Sequence, residues 1–511
     1  MRWRDRVLLL GAVVLVGGGG VSAATRWPAA ASPPGGTPPR IVLAATGVAA
    51  TPVCPGPPTL LAPTGGDASP PGGPVAVGAL VRGSTATLAD RPLVPGSGGL
   101  AALTLPRTAA GAVTLLPAGG AGGGAAGAPE VSAVQLELAR TGDARGLAAV
   151  PCATATTQSW LVGGGTQVGR RARLLLANPA PTAATVDVVV HGPQGVVAAA
   201  RGAGVLVPAR SEVALQVDAL APDLATVAVQ VTARNGRVTA VLHDSWLRGV
   251  TPGGVDDVSA AAAPARTQWV PGIVVAPPPA AALPDRADAP GAVAVRVANP
   301  GPDPAVVRVR LLGADGSRPL DHGVVTLAPG AVVDVPVTGV PAGPWTAAVQ
   351  ADVPVVAGAV VGRGGPAQQP AEFGWTSSVE PVTAPALLAL PTLTDAGGRT
   401  DVEGTLLLTA TGAAASVEVT ELDGRAGVAA VRTVAVAAGS TAVQRLGAGA
   451  AGVRLRPLGA GAAAPVVAAL VLTVADDAGP LLAVVPFRPG ASGGGSRPEV
   501  VADVRLGLGG R

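Results

Sequence analysis

Three side chains that could form a hydrolase triad stand together at His243-Asp244-Ser245. A triad works only when the nucleophile, the base and the orienting acid lie within hydrogen-bond reach of one another. The apolar run that ends at Leu242 predicts a strand, and successive side chains of a strand point to opposite faces. We therefore interpret the three residues as neighbours by chance, and we predict no catalytic residue in this chain.

A glycine-rich segment from Gly163 to Arg170, GGGTQVGR, has some likeness to a phosphate-binding loop. Such loops carry a lysine and lead into a helix whose first amide groups hold the anion. This segment has no lysine and leads into a strand-like run. We expect a flexible connection and no nucleotide cofactor.

Two pairs of neighbouring acids, Asp256-Asp257 and Asp476-Asp477, could contribute to a calcium site or to a glycosidase centre. Calcium needs six or more oxygen ligands from several segments. A glycosidase needs two carboxylates on either side of a bound sugar. We expect both pairs in loops and assign no metal to them, with a calcium site kept as an alternative.

Tryptophans could offer flat platforms for a sugar ring. The five that lie beyond the N-terminal segments recur near the ends of the repeating units, which favours packing over ligand stacking; they are Trp160, Trp246, Trp269, Trp345 and Trp375.

Cys54 and Cys152 are the two cysteines of the chain. Two cysteines without a nearby histidine supply neither a structural zinc site nor a recognisable nucleophile. In an exported protein such a pair is typically oxidised, so we predict a disulfide that stabilises the fold.

A repeated segment sets the organisation of the whole chain. The run Arg173–Gly195, RLLLANPAPTAATVDVVVHGPQG, has a close counterpart at Val295–Gly316 and a fainter one at Leu406–Gly424. The first two contain Asn178-Pro179 and Asn299-Pro300, whereas the third lacks this dipeptide. An asparagine can bond to its own backbone where a strand ends, and a proline stops further pairing. We predict that both dipeptides are structural corners.

Short alternating runs with frequent turn signals follow each corner, and helical periodicity is nearly absent. Asn235-Gly236, between two such runs, predicts a hairpin turn. The repeat spacing and the strand density predict an all-β protein of tandem immunoglobulin-like or fibronectin-like β-sandwiches, arranged as beads on a string. A propeller built from all the units is the alternative architecture.

The N-terminus resembles a secretory signal. Arg2, Arg4 and Arg6 precede the apolar run Val7–Val16 and several small residues, as in signal peptides. The segment is cleaved or stays as an anchor helix; in either case we expect the remaining chain outside the cytoplasm.

These patterns give seven consecutive segments. They are a signal peptide or signal anchor at 1–24, a Pro/Gly-rich linker at 25–74, a degenerate β domain at 75–155, three β-sandwiches at 156–262, 263–380 and 381–488, and a flexible tail at 489–511.

The composition disfavours a nucleic-acid partner. The 511 residues carry 35 basic and 32 acidic side chains, and aromatic residues make up 2%. Nucleic-acid binders show a basic face with interleaved aromatic residues. Balanced, dispersed charge does not match that pattern.

Several of these features together resemble a known family. The signal, the early Cys-Pro, Cys152, the run Trp160–Thr166, the following Val-Gly-Arg-Arg and the Asn178-Pro179 corner are similar to actinobacterial secreted proteins grouped as domain of unknown function 5719. The resemblance implies export and an envelope setting, and it implies no activity and no catalytic residues.

The leading functional hypothesis is a non-enzymatic, exported cell-envelope protein that acts as a spacer or binding module. Expected partners are a cell-wall polysaccharide or another envelope protein, with membrane contact only through the N-terminal segment. One alternative is a carbohydrate-binding accessory protein with an exposed tryptophan platform. The other is a hydrolase with a site between domains.

Overall fold

The computed structural model describes part of the chain in the ranges 40–42, 51–56, 74–95, 99–106, 112–117, 130–198, 202–277, 291–364, 369–395, 398–400, 402–425, 427–459, 464–488 and 499–501. The signal segment at 1–24 lies outside the described residues. Within these ranges the regular secondary structure consists of β-strands, and there is no α-helix. No described helix is therefore long and apolar enough to cross a membrane.

The chain separates into two compact units, one of residues 1–45 and 495–511 and one of residues 46–494. In the first unit, strand β1 (Arg40–Val42) pairs antiparallel with the last strand, Glu499–Val501. The predicted linker and the predicted tail each contribute one strand to this pair. The predictions of a linker at 25–74 and of a flexible tail at 489–511 are therefore wrong at these residues.

The larger unit begins with a sandwich of two sheets. Its sheets have the strand orders β10-β2-β7-β4-β5 and β6-β3-β8-β9. The strands are β2 (Pro52–Cys54), β3 (Val75–Arg82), β4 (Ala86–Leu88), β5 (Arg91–Leu93), β6 (Leu100–Pro106), β7 (Val113–Pro117), β8 (Glu130–Ala139), β9 (Gly146–Pro151) and β10 (Ala153–Thr154).

The second sandwich follows directly. Its strands are β11 (Gln158–Val162), β12 (Arg170–Asn178), β13 (Ala184–Gly192), β14 (Gly195–Val197), β15 (Val205–Val207), β16 (Ser211–Gln216), β17 (Ala228–Asn235), β18 (Thr239–Arg248) and β19 (Thr251–Val258). Their orders are β11-β17-β13-β14, with β15 also on β13, and β16-β12-β18-β19.

The third sandwich has one long strand that passes through both sheets. Its strands are β20 (Ala265–Val275), β21 (Val293–Ala298), β22 (Ala305–Gly313), β23 (Gly316–Leu327), β24 (Val332–Pro336), β25 (Gly343–Arg363) and β26 (Glu372–Ser377). The first part of β25 pairs with β20 and β22, and its last part pairs with β21 and β26.

The fourth sandwich has the sheet orders β27-β34-β31-β32 and β33-β30-β35-β36, with a separate β28-β29 pair. Its strands are β27 (Ala386–Ala389), β28 (Leu393–Asp395), β29 (Gly398–Thr400), β30 (Glu403–Ala410), β31 (Ala415–Leu422), β32 (Val428–Val436), β33 (Thr441–Arg445), β34 (Gly452–Leu458), β35 (Val466–Val474) and β36 (Leu481–Pro486).

All four sandwiches share one topology. Counted in chain order, eight strand positions form one sheet in the order 1-6-3-4 and one in the order 5-2-7-8. The second position pairs with the fifth and the third with the sixth, as strands B with E and C with F do in immunoglobulin domains. The fold is all-β with β-sandwich domains, as the sequence predicts.

The eighth strands, β9, β19, β26 and β36, form a closed cluster. Each packs against the next in chain order, and β36 packs back on β9. Because the last sandwich meets the first, the four sandwiches form a ring around these four axial strands. The beads-on-a-string arrangement is therefore wrong, and closure around an axis is the feature shared with the propeller alternative.

Apolar burial explains the closure. The first and fourth sandwiches share one core, in which Leu80 and Leu136 lie in the same cluster as Leu455 and Leu470. Every residue of β36 is buried, so this strand reads as a continuous apolar run. Strands covered on both faces have this pattern, whereas half-buried strands such as β13 alternate.

Two sequence predictions need correction here. The first sandwich begins at β2, inside the predicted linker, so its boundary at residue 75 is wrong. The Asn235-Gly236 hairpin is also wrong, because β17 and β18 belong to different sheets and the segment crosses between them. Gly236 has a φ of +73°, while the Asn235 side chain accepts a hydrogen bond from the Thr185 amide.

Candidate ligand-binding cavity on the axis of the ring

The two Asn-Pro corners have the same hydrogen bonds. Asn178 accepts from the Ala180 amide and donates to the carbonyls of Thr182 and Val207. Asn299 accepts from the Gly301 amide and donates to the Asp303 and Ala328 carbonyls. Both side chains are buried. The shared backbone contacts give the repeated dipeptide a structural role.

The predicted disulfide is confirmed. Cys54 and Cys152 are bonded, and Cys54 is fully buried in a core of the first sandwich. The bond ties β2 to the connection that leaves the axial strand β9. Cys152 also lies in the wall of the axial cavity.

The three triad-like residues do not form a catalytic group. The His243 Nδ1 lies 2.9 Å from Asp257 Oδ1. Burial lowers the pKa of His243, but the Asp257 hydrogen bond and charge outweigh this effect and raise it overall. Asp244 instead holds Arg170 in a bidentate pair and accepts from the Trp375 indole. Ser245 shares neither contact.

Asp256 and Asp257 lie in the axial strand β19 and not in a loop, which corrects the sequence expectation. Asp256 Oδ1 accepts from the Ala149 amide at 3.0 Å, and Oδ2 accepts from the Trp375 amide at 2.5 Å. The Asp256 carboxyl therefore joins axial strands of the first and third sandwiches to its own.

Glu372, at the start of β26, is a second buried carboxyl at the axis. Its Oε1 accepts from the Phe373 amide. Burial raises the pKa values of Asp256 and Glu372 well above the ordinary range, and the charge of Asp256 adds to the effect on Glu372. Both carboxyl groups accept hydrogen bonds from backbone amides. Among the described residues no cluster of three or more acids, histidines or cysteines could hold a metal ion.

Asp476 is the member of the other acid pair with ion-pair contacts. It accepts from Arg145 at 2.5 Å and lies 3.5 Å from Arg140, across the contact of the fourth and first sandwiches. Its ion pairs with the two arginines therefore help to hold the fourth sandwich against the first, which closes the ring.

The glycine-rich run that starts at Gly163 packs against neighbouring segments of the second and third sandwiches. The Gly164 carbonyl accepts from Arg296, and Thr166 Oγ1 donates to the Ala221 carbonyl. The flexible connection expected here is instead a fixed contact between the second and third sandwiches.

The tryptophans lie mainly inside the ring. Trp160, Trp345 and Trp375 are buried, whereas Trp246 and Trp269 are half-buried. Trp375 lies beneath the guanidinium groups of Arg170 and Arg296. This stack fixes the second sandwich to the third and covers the ring of Trp375.

A cavity of about 430 Å³ lies where the chain leaves the four axial strands. Its wall includes the segment after each eighth strand, so all four sandwiches contribute. The lining residues of these segments are 151–154, 260–264, 378–380, and Pro486 with Arg488. The four axial strands therefore all run toward the cavity. The cavity forms at this place because the ring is closed.

Arg488 and Glu380 are the charged residues that line this cavity. Arg488 Nη2 donates to Ser259 Oγ at 3.2 Å, and its buried Nε has no hydrogen-bond partner. Burial lowers the pKa of Arg488 to about 10, so the guanidinium stays charged at neutral pH. Glu380 is exposed at the mouth.

Sequence reasoning missed this cavity and its residues. Small residues and proline lie at or near the end of each eighth strand, for example SAAAAP at 259–264 after β19, and no motif marks them. Their recurrence at the same place in each unit is the signal that could have pointed to a shared surface.

These features define a class: an all-β protein in which four β-sandwiches close a ring around a buried axis, with a cavity at one end. A family model described as "Family of unknown function (DUF5719)" matches residues 107–447. The match spans more than half of the sequence, and the chain belongs to this family.

Other comparisons add little. No curated protein matches the chain. The crystal structure of Thermotoga maritima 1070 is 20% identical over 22% of this chain and 93% of that chain, with a TM-score of 0.18. A likeness of this size carries no argument about fold or function.

Proposed function

We propose that this protein is an exported, non-enzymatic component of the cell envelope that presents a rigid ring as a binding module. The observation that carries the proposal is the Cys54–Cys152 disulfide. Structural disulfides persist in oxidising compartments outside the cytoplasm. This one belongs to the core of the first sandwich and to the wall of the axial cavity.

The polar groups at the axis support a binding role over catalysis. Asp256 accepts backbone amides, Asp244 holds Arg170, and His243 pairs with Asp257. Each of these groups has a structural partner, and none lines the cavity. The partner expected outside the cytoplasm is a cell-wall component or another envelope protein.

The experiment is to express the full chain with its own N-terminus in a secreting bacterium and to fractionate the cells. We expect the protein in the extracytoplasmic fraction, with Cys54 and Cys152 resistant to a thiol-alkylating reagent until reduction. Mass spectrometry of the N-terminus then distinguishes a cleaved signal from an anchor. Recovery in the cytoplasm with both thiols alkylated would reject the proposal.

Carbohydrate binding is not retained as a second proposal. A sugar platform needs an exposed aromatic face. Trp345 and Trp375 are buried, and Trp246 packs against Arg170 and Arg248.

A further inference from the structure

The axial cavity has the size and lining of a small-molecule site. Ligand pockets commonly enclose about 300 to 1,000 Å³ and are mostly apolar with a few placed polar groups. This cavity holds about 430 Å³, and apolar side chains of all four sandwiches form much of its wall, among them Val131, Ala240, Ala261, Val379 and Leu387.

Arg488 gives the cavity a positive charge that no described acid holds in an ion pair. Arg488 is half-buried, and an arginine largely withdrawn from water normally pairs with a carboxylate. No acid in the described ranges forms an ion pair with Arg488, and its contact is the neutral hydroxyl of Ser259. The planar guanidinium keeps donors in the fork that matches a carboxylate.

Trp160 adds aromatic surface to the same wall. Its Nε1 is closed to solvent, so the residue contributes apolar contact area to the cavity and not a hydrogen-bond donor.

Glu380 limits the negative charge of the ligand that the cavity can bind. It is the negative charge at the mouth, and like charges repel a dianion more strongly than a monoanion. The site therefore suits a singly charged head group with an apolar body.

We propose that the axial cavity binds a small amphiphilic carboxylate, with its head on Arg488 and its chain against the apolar wall. This inference names the ligand of the binding module proposed above. It does not depend on where the protein resides.

The test is calorimetric titration of the oxidised full chain with three probes below their micellar concentrations: decanoate, decanol and decyl phosphate. We expect decanoate to bind more tightly than decanol by roughly 10- to 100-fold, as one charge-assisted contact provides. Decyl phosphate should bind more weakly than decanoate. Equal binding of decanoate and decanol, or no binding of any probe at millimolar concentration, would overturn the proposal.

Variants of the cavity residues test whether Arg488 and Glu380 determine which probe binds. Arg488→Leu should weaken decanoate by roughly 10- to 100-fold and leave decanol unchanged, whereas Arg488→Lys should recover part of the loss. Glu380→Gln should strengthen decyl phosphate binding relative to decanoate. The matched control is Arg234→Leu, because Arg234 lies on the surface of the second sandwich and pairs with Asp187. Unchanged decanoate binding by a folded Arg488→Leu variant would count against the site.

Ala263→Trp keeps the test usable if Arg488→Leu fails to fold. Ala263 is exposed at the mouth, so a large side chain there should block both decanoate and decanol without disturbing a core. Cytoplasmic location combined with Arg488-dependent binding would reject the envelope role and keep the ligand. Extracytoplasmic location without Arg488-dependent binding would keep the envelope role and reject the ligand.

Discussion

The Oδ1 atom of Asp256 lies 3.0 Å from the backbone nitrogen of Ala149. One residue belongs to the eighth strand of the second sandwich and the other to the eighth strand of the first. The second oxygen of the same carboxyl accepts from Trp375, in the eighth strand of the third. A single buried side chain thus joins three of the four sandwiches at the axis.

Cooperative unfolding follows from this shared axis. Independent domains unfold in separate transitions, whereas units with a common core unfold together. We expect calorimetry of the chain to show one main transition whose van't Hoff and calorimetric enthalpies agree. Asp256→Ala leaves two buried amides without acceptors and should cost about 2 to 5 kcal/mol. Separate transitions for each sandwich would contradict the closed ring.

Glu372 should make stability fall as pH rises. Burial holds the pKa of Glu372 well above its ordinary value of 4.5. Between the unfolded and the folded pKa the folded state keeps a proton that the unfolded state has lost, so stability decreases through that window. Glu372→Gln should flatten the dependence and stabilise the protein at pH 7, by about 1.4 kcal/mol for each unit of pKa difference removed.

Glu418 provides a control of opposite sign. A hydrogen bond from Arg456 lowers the pKa of this exposed carboxyl, so its contribution is present above the unfolded pKa and is lost as pH falls through the folded pKa. Glu418→Gln should therefore not stabilise the protein at pH 7. Urea unfolding at a series of pH values measures both variants, and parallel curves for wild type and Glu372→Gln would reject the assignment.

Asn299→Ala should be more destabilising than the same change at the exposed Asn235. The change removes donors to the Asp303 and Ala328 carbonyls and an acceptor for the Gly301 amide in a fully buried corner. We expect a loss of about 2 to 3 kcal/mol in denaturant unfolding. Asn235→Ala, at an exposed position with one short bond to the Thr185 amide, should cost less than about 1 kcal/mol. Equal losses of stability in the two variants would show that burial of the Asn299 corner does not determine its contribution to stability.

The corners and many strands were predictable because their signals are local. The alternating run that follows Asn178-Pro179 lies in strand β13, and the Asn-Pro dipeptides have a backbone explanation that needs no distant partner. Closure of the ring could not be predicted in the same way. Its contacts join residues far apart in sequence, such as Arg145 with Asp476.

The residues at the axis also lack ordinary strand signals. Strand β19 contains Gly253-Gly254 and Asp256-Asp257, and glycine and aspartate are depleted in strands. The sequence therefore predicts a loop, whereas neighbouring axial strands supply the amide partners that stabilise Asp256 in a strand. The cavity escaped prediction because its wall exists only once four units have met.

Loss of the disulfide should destabilise the first sandwich and, through it, the ring. Cys54 and Cys152 are 98 residues apart, and a cross-link of about 100 residues contributes about 4 to 5 kcal/mol in the chain-entropy model. Cys54→Ser/Cys152→Ser should show this loss in denaturant unfolding without reductant. Wild type with reductant should approach the variant. A difference below about 1 kcal/mol would mean that packing alone holds the first sandwich.

Arg296 should be the most sensitive arginine of the contact between the second and third sandwiches. Its guanidinium makes a bidentate pair with Asp334 and donates to the carbonyls of Gly164 and Val227. Arg296→Met would leave Asp334 buried without its partner, at a cost of about 3 to 5 kcal/mol. Lysine cannot reproduce the planar fork, so Arg296→Lys should recover little of this loss.

Two further variants separate the ion pair from the sandwich contact that Arg296 makes. Arg296→Met/Asp334→Leu removes both charges, and it should recover the share of the loss due to the unpaired carboxylate. The part of the stability loss that the double variant does not recover measures the lost hydrogen bonds to the second sandwich. Arg234→Met, which removes an exposed partner of Asp187, should leave the unfolding midpoint unchanged because solvent screens such pairs. If the double variant regained full wild-type stability, the carbonyl contacts of Arg296 would add nothing to the ring.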